Sequence, residues 1–305
     1  MKTTGFLLFR LNFVDRDGLF EKPVANDDDF IKVIELSATQ PFDMSAQGPR
    51  SGYRWSLRSP IADAGDNVDH PFIEVTFSLE TTSRRGPIIT ADGIAQGTST
   101  MSPPPATLVR IVIHLRRHIL AIEDVPSVIQ TRKGWRGKLE TILSSAAWEQ
   151  GFTSQIRLDP VIPAEVVTNR LESFSRVTRL RVTLSIPNPD LGPSFQHLYD
   201  EMKRGGVREL SEDMRNERGL VLGPETLPRA ALDMAVSGYR KGKIHVYGYN
   251  QHGEKDEFTI SDDVVRIEMN DVREFAENYA ASRKSAAVKR FAAEIIKKID
   301  ESLKK

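Results

Sequence analysis

Period-two alternation constrains this chain more than any other feature. From Gly5 to Val14 it sets Leu7, Phe9, Leu11 and Phe13 on one face and Arg10 and Asn12 on the other, the pattern of a half-buried strand. Phe72–Glu80 repeats it with Ile73, Val75, Phe77 and Leu79 inward. Leu108–Leu115 and Ile119–Val125 are apolar and largely β-branched, and their "LRRH" junction reads as a hairpin. Residues 41–70 are rich in Pro, Gly, Ser and Asp and read as loop, broken by a short strand at Tyr53–Leu57. Asp27, Asp28 and Asp29 are placed to cap a short element over Phe30–Leu36. "ITADGIAQGTSTMSPPPA" is long and full of breakers, so it reads as an exposed, mobile loop.

Beyond about residue 130 the spacing turns helical. Leu139, Ile142, Leu143, Ala146 and Ala147 recur at helix positions within Gly137–Gln150. Pro163 opens a helix over Ala164–Phe174, a position that tolerates its missing N–H. Arg179–Ile186 is the cleanest strand, with Leu180, Val182, Leu184 and Ile186 inward, and Ile156–Ile162 is a second. Phe195, Leu198, Tyr199 and Met202 make a helix face. A polar helix over Leu210–Arg218, an apolar one over Thr226–Ser237, a hairpin, and a long helix from Asp271 to Lys304 complete the order. That order is α+β: a β-rich region with an antiparallel sheet at 1–130, then an α+β region at 131–305 ending in a β-hairpin and a long helix.

With 305 residues, 39% of them hydrophobic, the chain has material for two cores. Its 42 basic and 42 acidic residues cancel, so a nucleic-acid contact has to come from a local patch. The absence of cysteine excludes disulfides, iron–sulfur clusters, thiolate zinc sites and cysteine nucleophiles. Arg10 and Asn12 interrupt the short apolar run near the start, and no other run is long enough to span a membrane, which points to a cytoplasmic protein.

Catalytic motifs are scarce. There is no Gly-x-Ser-x-Gly elbow, Walker loop, Gly-x-Gly-x-x-Gly or His-Glu-x-x-His, and no His/Asp cluster is visible in the linear sequence. The carboxylates a metal-dependent nuclease would need have their best candidates in Asp63, Asp69, Glu74 and Glu80. A metal-free one would use His114 and His118 at the hairpin bend, where a charged, solvated turn is the simpler account. The expectation is therefore no catalytic residue, metal or cofactor.

Three stretches carry the residue types of nucleic-acid contact, cations for phosphate and aromatic faces for bases. "RSGYRWSLR" offers Arg50, Tyr53, Arg54, Trp55 and Arg58, a composition that suits protein interfaces equally. "TRKGWRGK" offers Arg132, Lys133, Arg136 and Lys138, with Trp135 free to dock on the core instead. "KGKIHVYGYNQHGEKDEF" adds Lys241 and Lys243 and alternates His245, Tyr247 and Tyr249. Its spacing misses the RNA-recognition strand signature, because Lys243 and His245 fall in the aromatic slots. It reads as a structural hairpin whose tyrosines cover a helix.

A helix ending in "SGYRKG", the hairpin "KIHVYGYNQHGEKDEFTISDD" and then "EFAENYAASRKSAAVKRFAAEI" resemble uncharacterised bacterial families linked to phage defence. In segment order, and at Ala276, Tyr279, Ala280 and Arg283, they are also similar to the phage-exclusion protein RexA. The resemblance implies a non-enzymatic, homo-oligomeric sensor or defence subunit that binds DNA more readily than RNA, with a phage or defence-system protein as a further partner. The alternatives are a nuclease and a protein-interaction subunit without nucleic-acid contact.

Overall fold

The computed structural model describes residues 3–15, 26–47, 51–64, 70–91, 93–130, 134–185, 196–207, 209–260, 264–270 and 286–303. These form two antiparallel sheets with helices, an α+β fold whose N-terminal region is β-rich. The large sheet is organised around β1 (Thr3–Asp15). One edge of β1 pairs β7 (Ile119–Glu123), and the sheet continues through β6 (Ala106–His114), β4 (Phe72–Thr90), β3 (Ser51–Asp63) and β2 (Met44–Gln47). Its other edge takes two strands end to end. Arg266–Asn270 (β13) pairs Thr3–Leu7 and Ser154–Pro160 (β8) pairs Phe9–Asp15. They meet at Leu8, whose N–H donates to Val265 O at 2.9 Å and whose carbonyl accepts from Val161 N at 3.1 Å.

Both faces of this sheet are covered. Phe9, Leu11, Val75, Phe77 and Ile111 pack beneath α1 (Asp27–Ser37) and α2 (Trp135–Glu149), through Phe30, Val33 and Ile34 and through Leu139, Ile142 and Leu143. On the opposite face Phe6, Leu8, Phe72, Val112 and Ile119 lie under Phe291, Ala292, Ile295, Ile296 and Ile299 of α6 (Ala286–Leu303). Burial of these apolar side chains supplies the main drive for the layer.

The second sheet has the order β10–β9–β11–β12, from Glu209–Arg215, Phe174–Ser185, Ile244–Asn250 and Lys255–Ile260. Among the described residues one of its faces is covered by helices, α3 (Ala164–Glu172), α4 (Gln196–Arg204) and α5 (Leu227–Met234). Val167, Leu198, Met202, Ala231 and Leu232 meet Leu180, Val182, Leu184, Ile244 and Val246 there.

The structure corrects several expectations. Glu209–Arg215 is a strand, although its residues favour helix. Pairing with β9 satisfies its backbone and overrides propensity. The expected mobile loop after residue 88 is instead a two-stranded arm, β4 with β5 (Gly93–Thr100), in register from Ser83↔Thr100 to Thr90↔Gly93. The large sheet also crosses the division expected near residue 130, because β1 recruits β8 and β13. Asn26 caps α1, its side chain accepting from Asp29 N at 2.9 Å. The long-helix expectation is met over Ala286–Leu303, and residues 271–285 lie outside the described residues.

Arg10 and Asn12, expected on a solvent face, are buried. They hold the segment that follows α5, a π-turn at Ala235–Tyr239, against the large sheet. Arg10 donates to Ser237 O at 2.8 Å, to Arg117 O at 2.7 Å and to the Tyr239 hydroxyl at 2.6 Å. Asn12 donates to Gly238 O at 2.8 Å and to Asp159 Oδ2 at 2.7 Å. Gly238 has φ +89, and a Cβ on it would stand 2.7 Å from Arg10 Cβ. Gly238→Ala therefore costs about 1–3 kcal/mol of stability, read as a lower urea midpoint. Gly134→Ala, whose Cβ would meet open space, leaves the midpoint nearly unchanged.

Glu74 is 2% exposed, and burial raises its pKa to about 7 against a smaller opposing effect of Arg110. The folded state thus holds this proton more tightly than the unfolded chain does. Stability contributed by the neutral carboxyl is complete below about pH 4.5 and is lost as pH rises through about 7. The loss is on the order of 3 kcal/mol. Glu74→Gln removes this part of the pH dependence, measurable as urea unfolding at several pH values.

Candidate nucleic-acid interface

Strand alternation decides what the uncovered face of the small sheet presents. Inward side chains of β11 are Ile244 and Val246, so His245, Tyr247 and Tyr249 project from the other face. On β9 the same logic turns Arg179, Arg181 and Thr183 outward, alternating with Leu180, Val182 and Leu184. Register then aligns the two sets into rows: His245↔Arg181, Tyr247↔Arg179 and Tyr249↔Arg176. Thr259, Glu257 and Lys255 of β12 extend those rows on one side. Asp213 and Arg215 of β10 extend the first two on the other.

Each tyrosine is engaged by a cation. The Arg176 guanidinium carbon lies 4.5 Å from the Tyr249 ring centroid and that of Arg179 lies 5.2 Å from Tyr247. The His245 and Tyr247 rings are 6.4 Å apart and within 13° of parallel, and His245 Nδ1 contacts the Thr259 hydroxyl at 3.1 Å. Gly248 lies at a register shift where the β9 backbone approaches so closely that a Cβ would collide with Arg176 O. The resulting bulge aims Arg176 at Tyr249. An open groove of about 870 Å³ runs over Arg176, Arg179, Tyr247, Tyr249 and Lys255, with Glu217, Arg218 and Asp256 also lining it. A second, of about 360 Å³, continues past Arg181, His245, Lys241 and Lys243.

The face carries its own counter-charges. Asp213 accepts from Arg179 at 2.7 Å and from Arg215 at 2.6 Å, and these bonds hold its carboxyl far below the ordinary range. Lys241 pairs with Glu209 at 2.6 Å. Chemically the arrangement offers aromatic planes for stacking and guanidinium groups for phosphate or base edges, on a surface that no helix among the described residues crosses.

Residues 104–285, more than half of the chain, match the model described as Domain of unknown function (DUF4747). The chain belongs to the DUF4747 family. The matched region contains all four strands of the small sheet, whereas β1–β5 and α6 lie outside it. Curated proteins provide no match.

Elsewhere in this DUF4747 protein the sequence-derived candidates do not converge on one surface. Trp55 is 5% exposed and stacks on Phe77 at 5.2 Å, so its ring is not offered to a base. Arg54 is paired with Glu80, and Arg58 binds Asp43 through both terminal nitrogens at 2.7 and 2.6 Å. Tyr53 packs against the core, and Arg50 lies outside the described residues. Trp135 docks edge-on against Phe9, leaving Arg136 exposed and Lys138 partly so. Arg132 and Lys133 are also outside the described residues. Among the described residues, Lys241 and Lys243 are the expected contact residues that border the tyrosine face.

The nuclease candidates are likewise apart. Glu74 and Glu80 are six residues apart on β4, about 20 Å along a strand, too far to share one ion. Asp63 pairs with Lys289 at 3.0 Å, and Asp69 lies outside the described residues. His114 and His118 are buried where a solvated turn was expected. His114 faces Asp300, and burial lowers its pKa to about 4; His118 sits edge-on to Phe13 with Asp27 at 3.6 Å.

The expectation that Tyr247 and Tyr249 cover a helix is overturned by the placement of α3, α4 and α5 on the opposite face. Missed in the sequence were Arg176, Arg179 and Arg181. The signal was present in "SRVTRLRV", whose apolar positions mark the core and whose intervening positions carry the cations. No helix among the described residues is long and apolar enough to cross a membrane.

Proposed function

We propose that this protein binds single-stranded nucleic acid across the open face of the small sheet, as a non-enzymatic cytoplasmic sensor or subunit of an anti-phage system. The observation that carries the proposal is the cross-strand pairing of Tyr247 and Tyr249 with Arg179 and Arg176 on a sheet face that none of the described helices covers. Bases stack on the two rings, and the displaced guanidinium groups turn to the phosphates. Asp213 competes for Arg179 and Arg215 and limits affinity. The sequence resemblance to phage-exclusion proteins supplies the defence role and favours DNA over RNA.

Fluorescence anisotropy with labelled single-stranded DNA and RNA, across a salt series, tests the binding. Tyr247→Ala and Tyr249→Ala each weaken it by roughly ten- to a hundredfold. Arg179→Gln reduces the salt slope by about one. Asp213→Asn strengthens binding. No affinity at low salt, or full affinity in both tyrosine variants, sinks the proposal. Efficiency of phage plating tests the role: a chain that confers no exclusion, or whose Tyr247→Ala variant excludes equally well, removes the defence assignment.

A second reading attaches to the β4–β5 arm. Ile89 and Ile94 face each other across it at 89% and 82% exposure, an apolar pair held out in solvent. Contact between copies of the chain through this arm accounts for such a tip. Replacing both isoleucines with serine then shifts sedimentation towards the monomer while nucleic-acid affinity per chain persists; identical sedimentation of parent and variant discards it.

A further inference from the structure

Three ligand-bearing side chains from distant parts of the sequence meet where two inner strands of the large sheet, β4 and β6, come to an end. His70 lies just before β4, His114 ends β6, and Asp300 occupies the last part of α6. Their ligand atoms all lie within 4.8 Å of one another. His114 Nε2 is 3.5 Å from Asp300 Oδ1, and His70 Nδ1 is 3.6 Å from Asp300 Oδ2. A tetrahedral ion with bonds of about 2.0–2.1 Å sets its ligands roughly 3.3 Å apart, so the exposed His70 ring closes towards the other two ligands on binding. His114 is 3% exposed and Asp300 is partly shielded, while His70 faces solvent, which gives a metal a path in. Among the described residues the buried Asp300 Oδ1 has no aligned hydrogen bond, although Arg117 Nε approaches it at 2.6 Å.

We propose that His70, His114 and Asp300 form a site for a borderline divalent metal of the zinc class, with water as its fourth ligand, that fastens the end of α6 to the sheet. Two imidazoles and one carboxylate suit zinc and its first-row neighbours better than magnesium or calcium, which prefer oxygen ligands. Arg117 occupies the cation's place beside Asp300 when metal is absent. Its side chain is 35% exposed and has room to swing into solvent. The site is thus a choice between a guanidinium and a metal ion.

Calorimetric titration of chelator-treated full-length chain with zinc chloride tests the site, with hydrogen exchange reporting on α6. The expected result is one zinc per chain and slowed exchange across α6. His70→Ala, at an exposed position that leaves the core intact, weakens binding by at least about tenfold, and Asp300→Asn does the same or more. Arg117→Gln tightens it. Absence of stoichiometric zinc, or parental affinity in both His70→Ala and Asp300→Asn, overturns the site. Zinc bound without protection of α6 overturns the fastening role, and unchanged affinity in Arg117→Gln overturns the competition.

Discussion

The fold depends on a buried guanidinium. Arg10 sits in the middle of the strand that organises the large sheet, and its donors reach a carbonyl in the π-turn after α5, a carbonyl in the β6–β7 bend and the Tyr239 hydroxyl. It also lies against the Tyr239 ring, 4.3 Å from the centroid. A charge taken out of water is tolerated only when its donors are satisfied, so these partners are fixed together or not at all. The carbonyl end of a helix carries partial negative charge, which makes the turn after α5 a suitable acceptor. Asn12, Asp159 and Arg157 continue the polar seam, with Arg157 reaching the Ser185 hydroxyl at 3.1 Å and Arg240 O at 3.2 Å. Apolar packing holds each layer, and this seam sets how the layers face each other.

That division leaves the small sheet with one face that none of the described helices covers. Its inner side is committed to α3, α4 and α5, and α5 is in turn committed to Arg10 through its terminal π-turn. The tyrosines and arginines on the outer side therefore stand on a braced surface. A binding surface on a rigid scaffold loses less entropy when it is occupied. The family match covers this small sheet entire, while much of the large sheet and α6 fall outside it.

Much of the architecture was legible in the sequence, because alternation and helical spacing record burial directly. β1, β4, β6, β7 and β9 followed from their apolar periods, as did α2 and α3. What escaped depended on pairing across long separations. The strand at Glu209–Arg215 has helix-forming residues, and only its neighbour makes it a strand. Arg10 read as a surface residue because the turn that buries it is more than two hundred positions away. The candidate interface escaped for a related reason. The spacing within "KGKIHVYGYN" shows one strand alone, whereas the arginines that complete the face stand on β9, in register with it. Conversely "RSGYRWSLR" looked like a contact surface because composition does not show that Trp55 points inward and that Arg54 and Arg58 have carboxylates waiting.

The strand order has a temporal side. β1 is made first, yet the two strands that close its outer edge are β8 and β13, the second more than two hundred and fifty residues later. During synthesis an apolar strand therefore waits with one row of backbone groups unpaired until most of the chain has left the ribosome. Such distant pairing slows folding and leaves the open edge able to join another chain. Shielding β1 until β13 is available is the demand that this strand order places on folding, and the finished sheet no longer reveals it.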